Sequence, residues 1–124
     1  MKTVSEQMEL ARKAQEAVNE YTQEQIDEIC LAIGWEVYED ANIAKLAKMA
    51  VEETGFGNVE SKIIKHKRKV GGVLHDVKGA KSVGLIERDE QNGISKYAKP
   101  VGVIASLVPT TNPCLTPAGQ VIYA

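Results

Sequence analysis

The chain is poor in cysteine, and its first 99 residues contain no proline. Two cysteines, Cys30 and Cys114, in 124 residues cannot form a disulfide framework or supply a thiolate metal cluster. Neither sign of charge dominates: 15 basic against 17 acidic residues leave a formal net charge of −2, which argues against broad electrostatic binding to nucleic acid. No apolar run approaches the roughly 18 residues that a membrane-spanning helix needs. The polar, acidic stretch from Met1 to Leu10 has no apolar signal core. A cytoplasmic location is therefore expected, with neither membrane nor nucleic acid among the partners. No Gly-x-Gly-x-x-Gly fingerprint and no phosphate-loop motif occurs. His66 and His75 are nine residues apart, a spacing that does not stack them on one helix face, so no metal site is expected.

Apolar residues make up 44% of the chain, enough to bury a core, and the length suits one small domain. Thr3-Val-Ser-Glu6 fits a capping box at the head of a helix over residues 3–20. Thr22 with Gln25 repeats that signal before a second helix, whose buried stripe would be Ile26, Ile29, Cys30, Ile33 and Val37. Cys30 reads there as a small core residue. Gly34 weakens this helix by about 1 kcal/mol relative to alanine, and Trp35 is placed to cover a neighbouring helix. A third helix is expected from Asp40 to Glu53, stopped by Thr54-Gly-Phe-Gly57. A fourth runs from Asn58 toward His75, with Gly71-Gly72 making its second half doubtful.

The pattern changes after residue 81. Ser82–Glu87 and Ile94–Lys99 read as two strands joined by Asp89-Glu-Gln-Asn-Gly93, and Asn92-Gly93 is a strong hairpin dipeptide. Val101-Gly-Val-Ile-Ala-Ser-Leu-Val108 reads as a strand buried on both faces, as in a parallel sheet. The turn Pro109-Thr-Thr-Asn-Pro113 follows, then a helix from Thr116 with Pro117 in its first turn. The expected organisation is a helical segment over 1–81, a β-hairpin over 82–99 as a possible oligomerisation element, and from 100 to 124 the start of an α/β domain. A strand–turn–helix opens a βαβ unit, so the chain reads as the front of a longer protein. The alternative is a complete small α+β domain.

Chemistry concentrates in few places. Lys62, Lys65, His66, Lys67, Arg68 and Lys69 form the one charge run, to be read as a solvated helix surface or as contacts for an anionic ligand. Glu52 and Glu53 are neighbours that point apart on a helix, against paired acid/base work. The Pro109–Pro113 turn stands at the carboxyl end of the expected parallel strand and before a helix, where open α/β sheets place ligand sites. It offers two hydroxyls, a carboxamide and helix-start amides. Asn112 could donate to a developing oxyanion, although on residue types alone such a turn is more often structural.

Four blocks then occur in order: Leu46-Ala-Lys-Met-Ala-Val-Glu-Glu-Thr-Gly-Phe-Gly57, Val59-Glu-Ser-Lys-Ile-Ile-Lys65, Ala98-Lys-Pro-Val-Gly-Val-Ile104 and Pro109-Thr-Thr-Asn-Pro113. Together they resemble the start of the CoA-acylating aldehyde dehydrogenases, a group acting on acetaldehyde, succinate semialdehyde or sulfoacetaldehyde and including half of the bifunctional aldehyde–alcohol dehydrogenases. The resemblance covers essentially the whole chain. It implies an α/β fold: helices and a hairpin leading into the first strand, turn and helix of a Rossmann-like cofactor domain, here incomplete. It implies oxidation of a small aldehyde with NAD or NADP and transfer of the acyl group to coenzyme A, through a thiohemiacetal on a cysteine beyond the end of this chain. Asn112 then steadies the oxyanion, and Pro109, Thr110, Thr111 and Asn112 contact the cofactor. Residues 82–99 match a hairpin used for subunit contacts, implying a homo-oligomer in the full-length protein. Cys114 is not the nucleophile of this family. His66 and Ser61 stand where relatives often carry asparagine and aspartate, and Pro117-Ala-Gly119 leans toward relatives acting on functionalised aldehydes. The resemblance implies an enzyme as a full-length protein, while these 124 residues alone would be inactive. The rival reading is a non-catalytic binding or assembly module derived from the same fold.

Overall fold

The computed structural model describes residues 2–124 and divides the chain into two compact units. Among the described residues, the first comprises 2–27 and 81–105; the second comprises 28–80 and 106–124. Helices and a hairpin follow one another in the order expected from the sequence.

In the first unit, α1 (Val4–Val18) begins at the Thr3 capping box. The Glu6 amide donates to Thr3 Oγ1 at 3.2 Å and the Thr3 amide donates to Glu6 Oε2 at 2.6 Å, satisfying two orphan donors reciprocally. α2 (Gln23–Glu36), which belongs to this unit up to Asp27 and to the second unit from Glu28 on, starts with the corresponding pair, Thr22 N–H to Gln25 Oε1 at 2.9 Å and Gln25 N–H to Thr22 Oγ1 at 3.4 Å. Gln23 Oε1 accepts from the amides of Ser82 and Val83 at 2.8 and 3.0 Å, so the head of α2 holds the chain entering the hairpin.

The hairpin pairs β1 (Leu85–Asp89) antiparallel with β2 (Ile94–Tyr97). Arg88 faces Ser95 and Asp89 faces Ile94; the register slips between Leu85 and Glu87, the mark of a bulge at Ile86. Asp89 closes the turn by accepting from the Asn92 amide at 3.0 Å and from Asn92 Nδ2 at 2.7 Å, while Gly93 takes a φ of +68°.

The second unit carries the core. α3 (Asp40–Thr54) is capped by Glu39, which accepts from the Asn42 amide at 3.0 Å, and stops at Gly55 with φ +68°. α4 (Val59–Val77) is capped by Asn58, which accepts from the Ser61 amide at 2.9 Å. α3 and α5 (Leu115–Tyr123) each pack on α4. Ile43, Ala47 and Ala50 from α3, Val70 from α4, and Ala118 and Ile122 from α5 form the buried apolar set.

α4 runs unbroken through Gly71-Gly72 to Val77. Two glycines cost helix propensity of about 1 kcal/mol each, but Val70 beside them is buried, and burial of an apolar side chain repays a deficit of that size. Gly34 gains a reason that its propensity hides. A Cβ there would lie 2.7–3.0 Å from the Leu74 side chain, so the missing side chain is what lets α2 approach α4.

Two expectations are corrected. Val101–Val108 pairs with no strand among the described residues and is not buried: Val101 is 79% and Leu107 93% exposed. A strand exists only through partners for its backbone groups, and the hairpin is the one sheet among the described residues. Trp35 is largely exposed, at 61%, and its ring lies oblique to that of Tyr38, with centroids 6.4 Å apart. Cys30 is half-buried rather than fully in the core, its thiol 3.9 Å from the Ile122 carbonyl oxygen of α5.

Candidate functional site

The Pro109–Pro113 turn belongs to the second unit, directly before α5. Its backbone closes on itself through the Asn112 amide, which donates to the Pro109 carbonyl at 3.1 Å. The Asn112 carbonyl in turn accepts from Thr116 at 3.2 Å, which links the turn to the first turn of α5. Thr110 and Thr111 are exposed and Asn112 is half-buried. Asn112 Nδ2 lies 3.4 Å from Thr111 Oγ1, a long contact that leaves the carboxamide able to serve another acceptor.

The turn is held from outside by α4. Lys62, 8% exposed, donates from Nζ to the Thr111 carbonyl oxygen at 3.0 Å. The second and fourth sequence blocks, 49 residues apart at this contact, are thereby brought together. A charge-assisted bond of this kind is worth about 1.5–3 kcal/mol, which offsets part of the cost of taking an ammonium out of water.

The charge run therefore splits into two faces, correcting its reading as a solvated surface. Lys62, His66 and Val70 follow at intervals of four and are all buried, whereas Lys67, Arg68 and Lys69 are exposed. Lys67 reaches Asp40 at 2.6 Å across α3 and α4, a solvent-exposed ion pair of small worth. The i, i+4, i+8 spacing was visible in the sequence. Reading the run as charge rather than as a helical face concealed it.

His66 is 2% exposed and its Nδ1 has no hydrogen-bond partner. Burial pushes its pKa below the usual 6.5, the nearby Lys62 and Lys65 ammonium groups push the same way, and a backbone hydrogen bond at Val37 opposes them. The unfolded chain, with an ordinary histidine, then binds more protons just below pH 6.5 than the folded one. Stability from this group is complete above that pH and falls as pH drops toward the lower folded value. Relative to a His66→Leu variant, the whole protein is expected to lose at most about 1.4 kcal/mol per pH unit in that window. Thermal midpoints of both proteins between pH 5 and 8 check this, and parallel pH profiles would refute it.

Cys114 precedes α5 with its thiol half-buried. Burial raises its pKa, the Glu53 carboxylate adds to the rise, and Lys62 opposes it. A raised thiol pKa is the reverse of what a nucleophile requires. Among the described residues no group of three or more His, Cys, Asp or Glu is placed to hold a metal ion. No helix among them is long and apolar enough to cross a membrane.

No protein-family model matches the chain. It is 81% identical over 122 residues to a sulfoacetaldehyde dehydrogenase (acylating) of Bilophila wadsworthia, covering 98% of this chain and 26% of that protein. A sulfoacetaldehyde dehydrogenase of an Acholeplasma species is 62% identical over 110 residues, 89% of this chain and 23% of the relative. The crystal structure of an acetylating aldehyde dehydrogenase from Geobacillus thermoglucosidasius superposes with a TM-score of 0.87 at 40% identity, over 93% of this chain and 25% of that one. The chain thus spans about a quarter of the length of these relatives. In sequence and in fold, this chain is similar to about a quarter of an acylating aldehyde dehydrogenase.

Proposed function

We propose that the protein carrying this segment oxidises sulfoacetaldehyde with NAD or NADP and transfers the acyl group to coenzyme A. The observation that carries this reading is the 81% identity, over nearly the whole chain, to a protein named for that activity. The same likeness favours an enzyme over a non-catalytic assembly module.

The residues present suit one end of a cofactor site. Two exposed hydroxyls, a half-buried carboxamide and the start of α5 without a side-chain cap sit within one turn. Pro109, Thr110, Thr111 and Asn112 would contact the nicotinamide end, and NAD(P)+ would supply the hydride acceptor. Asn112 Nδ2 would donate to the oxyanion that forms when a cysteine thiolate attacks the aldehyde carbon. Cys114, with its raised pKa, is not that thiolate; a cysteine elsewhere in the protein supplies it. Residues 82–99, with Ile94 and Tyr97 exposed on the hairpin, are the proposed subunit contact of a homo-oligomer.

The test is reduction of NAD+ or NADP+ by the whole protein with sulfoacetaldehyde, with and without coenzyme A. Reduction and thioester formation that both require coenzyme A are expected. Turnover of acetaldehyde but not of sulfoacetaldehyde would overturn the substrate. Absence of turnover with every aldehyde would overturn the reaction.

A further inference from the structure

We propose that Lys62 is a positioning residue for this reaction, fixing from α4 the direction of the Asn112 carboxamide. The inference rests on the role proposed above for Asn112. Its own basis is the peptide unit between Thr111 and Asn112. The N–H of that unit donates to the Pro109 carbonyl at 3.1 Å, and its carbonyl accepts from Lys62 Nζ at 3.0 Å. The plane is therefore held at both ends, once from inside the turn and once from another helix. The Thr116 amide holds the next carbonyl, that of Asn112, at 3.2 Å. Without the Lys62 bond, the Thr111–Asn112 plane keeps only its internal contact, and its rotation swings the Asn112 side chain.

Two features set Lys62 apart from an ordinary structural lysine. It is buried against a neutral carbonyl, whereas the ion pairs among the described residues join Lys48 with Glu52, Lys67 with Asp40 and Lys96 with Glu87. A buried ammonium set against a neutral group is a costly way to gain stability alone. It is also anchored. Asn58 caps α4 one turn before it, and His66 and Val70 lie buried one and two turns after it on the same face. The amine thus reaches the turn from a rigid element, as orientation to a fraction of an ångström requires.

The experiment is a double-mutant cycle in the whole enzyme with Lys62→Met and Asn112→Ala, reading kcat and KM for aldehyde and cofactor. Lys62→Met is expected to lower kcat about 10- to 100-fold, the scale of a misplacement near 1 Å, with KM changed less than about 3-fold. In the Asn112→Ala background the same substitution is expected to lower kcat by less than about 3-fold, because residues acting as one unit are not additive. A loss of the same size in both backgrounds marks a merely structural lysine and overturns the proposal. Full activity in Lys62→Met, with the large loss kept in Asn112→Ala, overturns the Lys62 role alone. Full activity in Asn112→Ala overturns the oxyanion reading and the Lys62 role with it. Lys62→Leu, which likewise removes the donor, takes the place of Lys62→Met in the same cycle if that variant does not fold.

Discussion

With the oxyanion role proposed for Asn112, Asn112→Ala in the whole protein is expected to lower kcat by about 10²- to 10³-fold, the loss typical of removing one oxyanion donor. The carboxamide is the one neutral side-chain N–H donor of the Pro109–Pro113 turn. It is half-buried, and its intramolecular contact to Thr111 Oγ1 is 3.4 Å long. It therefore has donor capacity to spend on charge that develops only in the transition state. For that reason KM for aldehyde is expected to stay within about 3-fold while kcat falls, since an interaction absent from the ground state does not strengthen substrate binding. Asn112→Asp is expected to be at least as damaging, because in the proposed role a carboxylate would present negative charge to the oxyanion. Steady-state kinetics of both variants decide the matter. A loss in kcat below about 3-fold for Asn112→Ala would remove this residue from the chemistry.

Ile43→Ala is expected to carry the largest stability cost among single changes in the second unit, about 2–5 kcal/mol. Ile43 is 1% exposed, and the other buried residues of α3, Ala47 and Ala50, are already small. Two alanines beside the gap have no side-chain length with which to fill it, so the cavity persists after the substitution. Lys48→Ala, one turn further along α3, breaks only an exposed pair with Glu52 at 3.8 Å and is expected to cost less than about 0.5 kcal/mol. Hydrogen exchange of the α3 and α4 amides in the whole protein reports both changes locally. Equal protection in the two variants would show that the α3–α4 contact is not held by Ile43.

Much of the architecture is legible in local signals because those signals are chemical and short-ranged. Thr3 with Glu6, and Thr22 with Gln25, satisfy amides within three residues of themselves. Gly55 and Gly93 take positive φ where a helix and a hairpin must turn. None of this depends on what lies elsewhere in the chain. The family resemblance rested on the same footing, as ordered blocks readable without coordinates, and the relatives and the fold agree with it.

The departures all concern partners. Val101–Val108 has the composition of a buried strand, but composition cannot supply the neighbouring backbone that makes one. Gly34 looks like a defect in a helix until Leu74 occupies the space a Cβ would need. Lys62 and His66 look like members of a charged surface until the packing of α4 turns their face inward. By itself, then, the sequence determined where helices begin, where the chain turns and which family's blocks it carries. Only the tertiary structure decided which face of α4 is buried and that Lys62 holds the Pro109–Pro113 turn. Capping and turning are interactions between near neighbours, whereas burial and the bond from Lys62 to Thr111 exist only once residues 49 positions apart meet.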